Sequence, residues 1–358
     1  MNSIVLPQGR MRLGRRSLAL GGLTMLLLAV AVCGMGTGAM HLTAGEVLGA
    51  LLRWLSGQPA QGNDQIVLML RLPRVLMATL VGASLACSGT TMQGLFRNPL
   101  VEPGLIGVSA GSALGAIAMI VLGGNLLGSV SGIAPGIAGS FGIAGAAFAG
   151  GLLATVLVYL IGRKRPGVAT LLLAGVAINA IAMAGVGLLT YLANEHQLRD
   201  LSFWTLGSLG GTDWKRLAAV APLMLLPVLL LPRYARALNA LLLGEREAAL
   251  LGFRPERLRP QLVALVALAT SAAVAMCGVI SFVGLLVPHV LRMIWGPDHR
   301  LLLPASALAG ATLLIGADSV ARLVVAPAEL PIGVITALLG GPFFLWLLMR
   351  MHVTEGGS

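Results

Sequence analysis

The chain has 358 residues, 57% of them hydrophobic and only 10% charged, and a net charge of +11. Soluble domains carry about 25% charged residues, so a soluble globular fold is excluded. A nucleic-acid partner is not expected either, because the basic residues gather in a few short loops, the pattern of a membrane topology signal.

Residues 1–16 form a basic segment with Arg10, Arg12, Arg15 and Arg16. An apolar run at 17–36 follows. It is long for a signal peptide, and Cys33-Gly-Met-Gly is a poor cleavage site, so a retained first helix starting in the cytoplasm is expected. Further apolar runs lie at 66–88, 104–122, 139–162, 168–192, 217–231, 259–280, 286–296, 303–324 and 331–350. Most approach the ~20 residues that cross about 30 Å of hydrocarbon. The run 286–296 is too short and is expected as a partial helix. The runs do not alternate in polarity, so they are helices rather than barrel strands. The expected fold is therefore an all-α polytopic membrane protein. The segment 198–211, with Trp204 and nearby Trp214, reads as a short interfacial or re-entrant helix. With the N-terminus inside, most basic residues fall in cytoplasmic loops, including the Arg163-Lys164-Arg165 run, and the C-terminus is also inside. Cys33, Cys87 and Cys277 all lie in apolar runs and are expected as small buried hydrophobes, not metal ligands. Small residues at Gly145…Ala149 and near Gly185 are expected to let helices approach closely.

One interruption breaks this pattern. The stretch Arg97–Gly111 (RNPLVEPGLIGVSAG) is polar and helix-breaking between two apolar runs. A fainter echo pairs Cys87-Ser-Gly89 and Pro99 with Cys277-Gly278 and Pro288, ten residues apart in each case after the cysteine's second or first neighbour. Repeats of opposite orientation are a common transporter design. Glu102 is expected to cap the start of the third helix, since carboxylates are favoured at helix N-termini.

The segment 232–260 reads as two short helices broken at Gly244 and Gly252. Leu238, Leu241, Leu242, Ala248 and Leu251 alternate with charges. It is either a solvated loop or a knob that docks into a groove of a cytoplasmic partner. Such a partner is needed because this chain cannot use ATP by itself. A phosphate-binding GxxxxGK[ST] loop requires Lys followed by Ser or Thr, and both lysines, Lys164 and Lys215, precede arginine. No intramembrane chain of acids or histidines points to proton coupling; Asp318 lies one turn before Arg322 and reads as a local ion pair. Arg71, Arg74 and Arg322 sit at the expected outer ends of spans. They suit interface anchors or bidentate acceptors of a partner's carboxylates.

At this point the residues carry a resemblance. RLPRVLMATLVGASLACSG, MQGLFRNPLVEPGLIGVSAG, LLLAGVAINA, GLLVPHVLR, DHRLLLP, ADSVARL and AELPIGVITALLGGPFFLWLL are similar to the FecCD-type permeases, membrane subunits of ABC importers for iron chelates, haem and cobalamin. The resemblance spans about Arg71 to Arg350. It implies a single transmembrane permease domain over 1–358, with ten helices per subunit in the type II importer fold, paired as a homodimer in the bacterial inner membrane. Two cytoplasmic ATP-binding cassette subunits and a periplasmic substrate-binding protein complete the implied assembly. By resemblance, Arg71, Arg74 and Arg322 match binding-protein docking residues. Leu241, Leu242, Gly244, Glu245, Ala248, Leu251 and Gly252 fall in the ATPase-coupling loop. Asn98 and Leu100 match a cytoplasmic gate, whose second segment here reads Gly167-Val168-Ala169. The chain itself is implied to be non-catalytic and without a cofactor, ATP being used by the partner. The expected cargo is a bulky metal complex, haem or a ferric siderophore, with cobalamin as the alternative. A secondary transporter driven by an ion gradient is the reading from a different class.

Overall fold

The computed structural model describes residues 8–38, 40–127, 135–163, 168–326 and 328–355, and all regular structure among them is helical. In chain order the helices are α1 (Gln8–Gly36), α2 (Ala44–Leu55), α3 (Leu72–Phe96), α4 (Val108–Leu127), α5 (Pro135–Arg163), α6 (Val168–Leu192) and α7 (Glu195–Leu206). Then come α8 (Trp214–Leu230), α9 (Ala235–Leu243), α10 (Glu245–Leu250), α11 (Pro255–Cys277), α12 (Val283–Trp295), α13 (His299–Val324) and α14 (Ile332–Glu355). Seven apolar stretches are long enough to cross a membrane, and three shorter ones lie in α4, α12 and α14.

Local chemistry sets the ends of these elements. Thr43 and Glu46 form a reciprocal capping box at the start of α2, and Asn194 with Gln197 does the same for α7; each box satisfies orphan donors of the first turn. The Asn194 box starts α7 at residue 195, earlier than the expected 198. The helix α2 was not expected at all, although Val47 and Ala50 face inward while Leu52 and Leu55 face out. Ahead of α3, residues Ile66–Arg71 form a π-turn, an irregularity that recurs at functional sites.

Helices α3, α11 and α13 form the centre, and α1 and α6 lie at the periphery. The α3–α13 contact depends on size. A Cβ on Gly82 would collide with the Gly310 carbonyl, and one on Gly310 with the Gly82 carbonyl, so the two backbones meet as small residues permit in membranes. The expected glycine contact at Gly145 does not form, since nothing lies near it. On α5 it is Gly150 that meets Gly111 of α4. Cys87 and Cys277 are buried as expected, but Cys33 is exposed. The reason is that α1 packs by one stripe only, with Leu18, Met25, Leu26 and Leu28 also exposed.

Candidate functional site

One end of the bundle gathers the three arginines named above, but not on an open rim. Arg71 closes the π-turn and is only 7% exposed. It donates to the carbonyls of Met35, at 2.5 Å, and Met40. Arg322, equally buried, donates to Thr37 O at 2.7 Å and Gly34 O at 2.9 Å. Two cations thus close on the carbonyls at the end of α1, where the helix dipole favours positive charge. Asp318, itself buried, pairs with Arg322 at 3.1 Å and with Arg74 at 2.8 Å. Arg74 also grips the half-exposed Glu329 through two bonds of 2.9 Å, and this guanidinium holds the Glu329 carboxyl below the usual carboxylate range. The expected local pair of Asp318 and Arg322 is therefore one edge of a larger network. Neither Arg71 nor Arg322 offers a free guanidinium for docking, because a buried guanidinium needs partners, and these two find them at the end of α1, in the residues just beyond it and, for Arg322, in Asp318.

The centre holds the interruption at Arg97–Gly111 and a second one after α11, which ends at Cys277 inside the expected run 259–280, and the fold brings them together. Each is bracketed by left-handed residues. The first leaves α3 through Arg97 (φ 51°) and enters α4 after Gly107 (φ 90°); the second leaves α11 through Gly278 (φ 70°) and enters α12 after Phe282 (φ 68°). A left-handed non-glycine residue costs roughly 1–2 kcal/mol. Phe282 holds it with its ring tilted against Phe344, centroids 6.1 Å apart, and pressed on Gly340. Between the breaks lies a cavity of about 390 Å³. Its lining includes Glu102 and Gly104 from the first break, Ser281 and Phe282 from the second, Asn179 of α6 and Thr270 of α11. Asn179 donates to Gly104 O at 3.1 Å, which pins α6 to the first break. Glu102 stands at the N-cap of the short 3₁₀ turn Pro103–Ile106, yet its side chain makes no capping bond. The expected capping role is thus corrected, because the carboxyl turns into the cavity instead. Asn98 accepts from Leu100 N at 2.9 Å, and Asn98 and Leu100 lie exposed at the α3 end of the break. Val168 and Ala169 open α6, whereas Gly167 lies outside the described residues.

At the other end, 232–260 folds as α9 and α10, broken at Gly244 (φ 137°) and ended at Gly252 (φ 88°). Leu238, Leu241 and Ala248 are fully buried in a core shared with α3 and α11. They anchor the segment and cannot form its outer face. The outward apolar residues are Leu243, Leu250 and Leu251, at 67%, 89% and 61% exposure, with Leu242 less open. Glu245 pairs with Arg259 of α11. Asn239 of α9 donates to Asp298 at 2.7 Å and accepts from His299 N at 2.9 Å, and Asp298 also pairs with Arg16 of α1.

A model of the FecCD transport family matches residues 25–350. The chain belongs to the FecCD transport family. Among relatives of this FecCD chain, the hemin transport system permease protein HmuU of Yersinia pestis is 44% identical over 95% of this chain and 98% of its own. The vitamin B12 import system permease protein BtuC of Klebsiella pneumoniae is 42% identical over 92% of each. A solved metal-chelate type ABC transporter in an inward-facing conformation superposes with a TM-score of 0.79, at 35% identity, over 92% of this chain and 98% of the other. Among its described residues the FecCD chain has no cluster of His, Cys, Asp and Glu that could hold a metal. Three elements of this geometry escaped the sequence reading: Glu329, Asn239 and the Leu243–Leu250 face. Only the last had a signal, since leucines dominate the segment.

Proposed function

We propose that this chain is the membrane-spanning permease subunit of a binding-protein-dependent ABC importer that carries a haem-like or other metal complex into the cytoplasm. The observation that carries the reading is 44% identity with a hemin permease over nearly the whole of both chains. Two copies form the working unit, each crossing the inner membrane ten times with both termini inside. Seven long apolar helices and three shorter ones among the described residues support that reading. Exposed apolar residues on α6, among them Leu173, Val176 and Ile181, suit lipid or the second copy.

The chain does no covalent chemistry and holds no cofactor. A pair of ATPase subunits supplies the work and meets Leu243, Leu250 and Leu251. Movement there reaches α13 and α1 through Asn239 and Asp298. At the opposite face a loaded carrier protein docks near Arg74 and Glu329, the exposed edge of the arginine network. Asn98 and Leu100 close the inner mouth. Cobalamin is the second reading for the cargo, favoured by the 42% identity with a vitamin B12 permease.

The test is reconstitution in liposomes with the ATPase subunits and a carrier protein loaded with haem, a ferric siderophore or cobalamin. ATP-dependent accumulation of haem or the ferric complex is expected. Accumulation of cobalamin alone would move the assignment to the second reading, and ATP-independent uptake would overturn the importer assignment.

A further inference from the structure

The cavity between the two breaks contains polar atoms that the fold leaves unused. The Glu102 carboxyl has no hydrogen bond or ion pair among the described residues. Thr270 is 2% exposed, and its Oγ1 has no partner; the Oδ1 of Asn179 is likewise buried and unpartnered. Buried polar atoms are nearly always hydrogen-bonded, and leaving one unmade costs about 1–3 kcal/mol. These two buried atoms and the half-buried Glu102 carboxyl come from three separate elements that line one space of about 390 Å³, within the range of about 300–1,000 Å³ that holds small ligands. The space is otherwise apolar, with Leu85, Met183 and Val274 among its walls. Its lining holds one acid and no Lys, Arg or His. The site is also held in tension, because Phe282 keeps a left-handed backbone at its edge, and such strain gathers at binding sites.

The charge balance selects the ligand. An anionic group would meet Glu102 with no cation nearby. A hydrogen-bond donor would satisfy the Glu102 carboxyl, and a cationic donor would bind best. We propose that this cavity is a cargo subsite in which Glu102, supported by Asn179 and Thr270, takes a hydrogen-bond-donating substituent of the translocated molecule, ammonium before amide before carboxylate. The proposal rests on the importer reading and, within it, favours a ferric siderophore bearing a hydrogen-bond donor over haem, whose peripheral polar groups are carboxylates; it names the residue by which the permease itself, rather than the carrier protein, discriminates among cargoes.

A matched set of probes isolates this effect. One ferric trihydroxamate is prepared with a free ammonium arm, with that arm acetylated to an amide, and with it succinylated to a carboxylate. Equilibrium binding of each is measured on the complete permease–ATPase complex in lipid nanodiscs without carrier protein. The wild type holds the ammonium form about tenfold or more tighter than the carboxylate form, the scale of a charged hydrogen bond. Glu102→Gln collapses this preference to within about twofold, while Glu102→Asp retains it. A purely structural role for Glu102 would move none of these ratios. An unchanged preference in Glu102→Gln, equal binding of all three probes by the wild type, or no binding of any would each overturn the proposal. Carrier-stimulated ATP hydrolysis, measured on the same complexes, reports separately on the importer reading.

Discussion

The two ends of the bundle treat their residues in opposite ways. At the α1 end, Arg71, Arg322 and Asp318 are charged yet buried. At the α9–α10 end, Leu250 and Leu251 are apolar yet exposed. Residue type alone would have predicted the reverse. Buried charge is tolerated where each group has an ionic or carbonyl partner, and exposed leucines on short helices outside the long apolar spans suit a surface that another protein covers. The first end is built to hold its own shape, and the second is built to be held.

Breaking the first end should have the largest effect. Asp318→Asn leaves Arg74 and Arg322 without their shared buried counter-ion, which costs about 3–5 kcal/mol; a sharp fall in the melting temperature of the purified chain is expected. Next, Leu241→Ala removes a buried anchor of the α9–α10 segment and costs about 2–5 kcal/mol of stability, read by the same melt. Leu250→Asp sharpens the contrast. It should leave that melt unchanged yet weaken association with the ATPase subunits by about 2 kcal/mol, roughly thirtyfold, as measured by titration in nanodiscs. If Leu241→Ala and Leu250→Asp behaved alike, the distinction between anchor and contact would be lost.

The smallest effect concerns pH. Asp64, buried against Arg53 at 2.6 Å, has its carboxyl lowered to about 2, first by the Arg53 side chain and then by the Gln61 amide. A lowered folded value means the contribution is complete above the ordinary Asp value of about 3.9. It is lost as pH falls from there toward about 2. Melting temperatures between about pH 5 and 3 should fall less steeply for Asp64→Asn than for the wild type.

The sequence made the helices legible because length and composition decide whether a segment spans a membrane. Expected runs such as 168–192 and 303–324 lie within or coincide with α6 and α13. The first break was legible from Arg97-Asn98-Pro99, since Pro interrupts helices by local sterics; the second was not, because the expected run 259–280 continued through Gly278, where α11 has already ended. Which way a side chain points was not. Leu241 and Leu250 are both leucines of one short segment, and only the packing of α9 against α3 and α11 separates them. The fate of Arg71 depends on carbonyls of α1, 36 residues away for Met35, and no local pattern encodes that contact. Glu102 held the N-cap position but not the capping bond, because the cavity offered its side chain another direction.

The central claim is that this chain moves cargo only when work enters through α9 and α10. The most direct measurement is uptake of a haem or ferric chelate probe into liposomes holding the chain alone, the chain with its ATPase subunits, and the Leu250→Asp complex. ATP-driven accumulation by the wild-type complex, with none by the chain alone under an imposed proton or sodium gradient and a large loss in the variant, is the predicted result. Uphill accumulation by the chain alone, or full activity in Leu250→Asp, would contradict it.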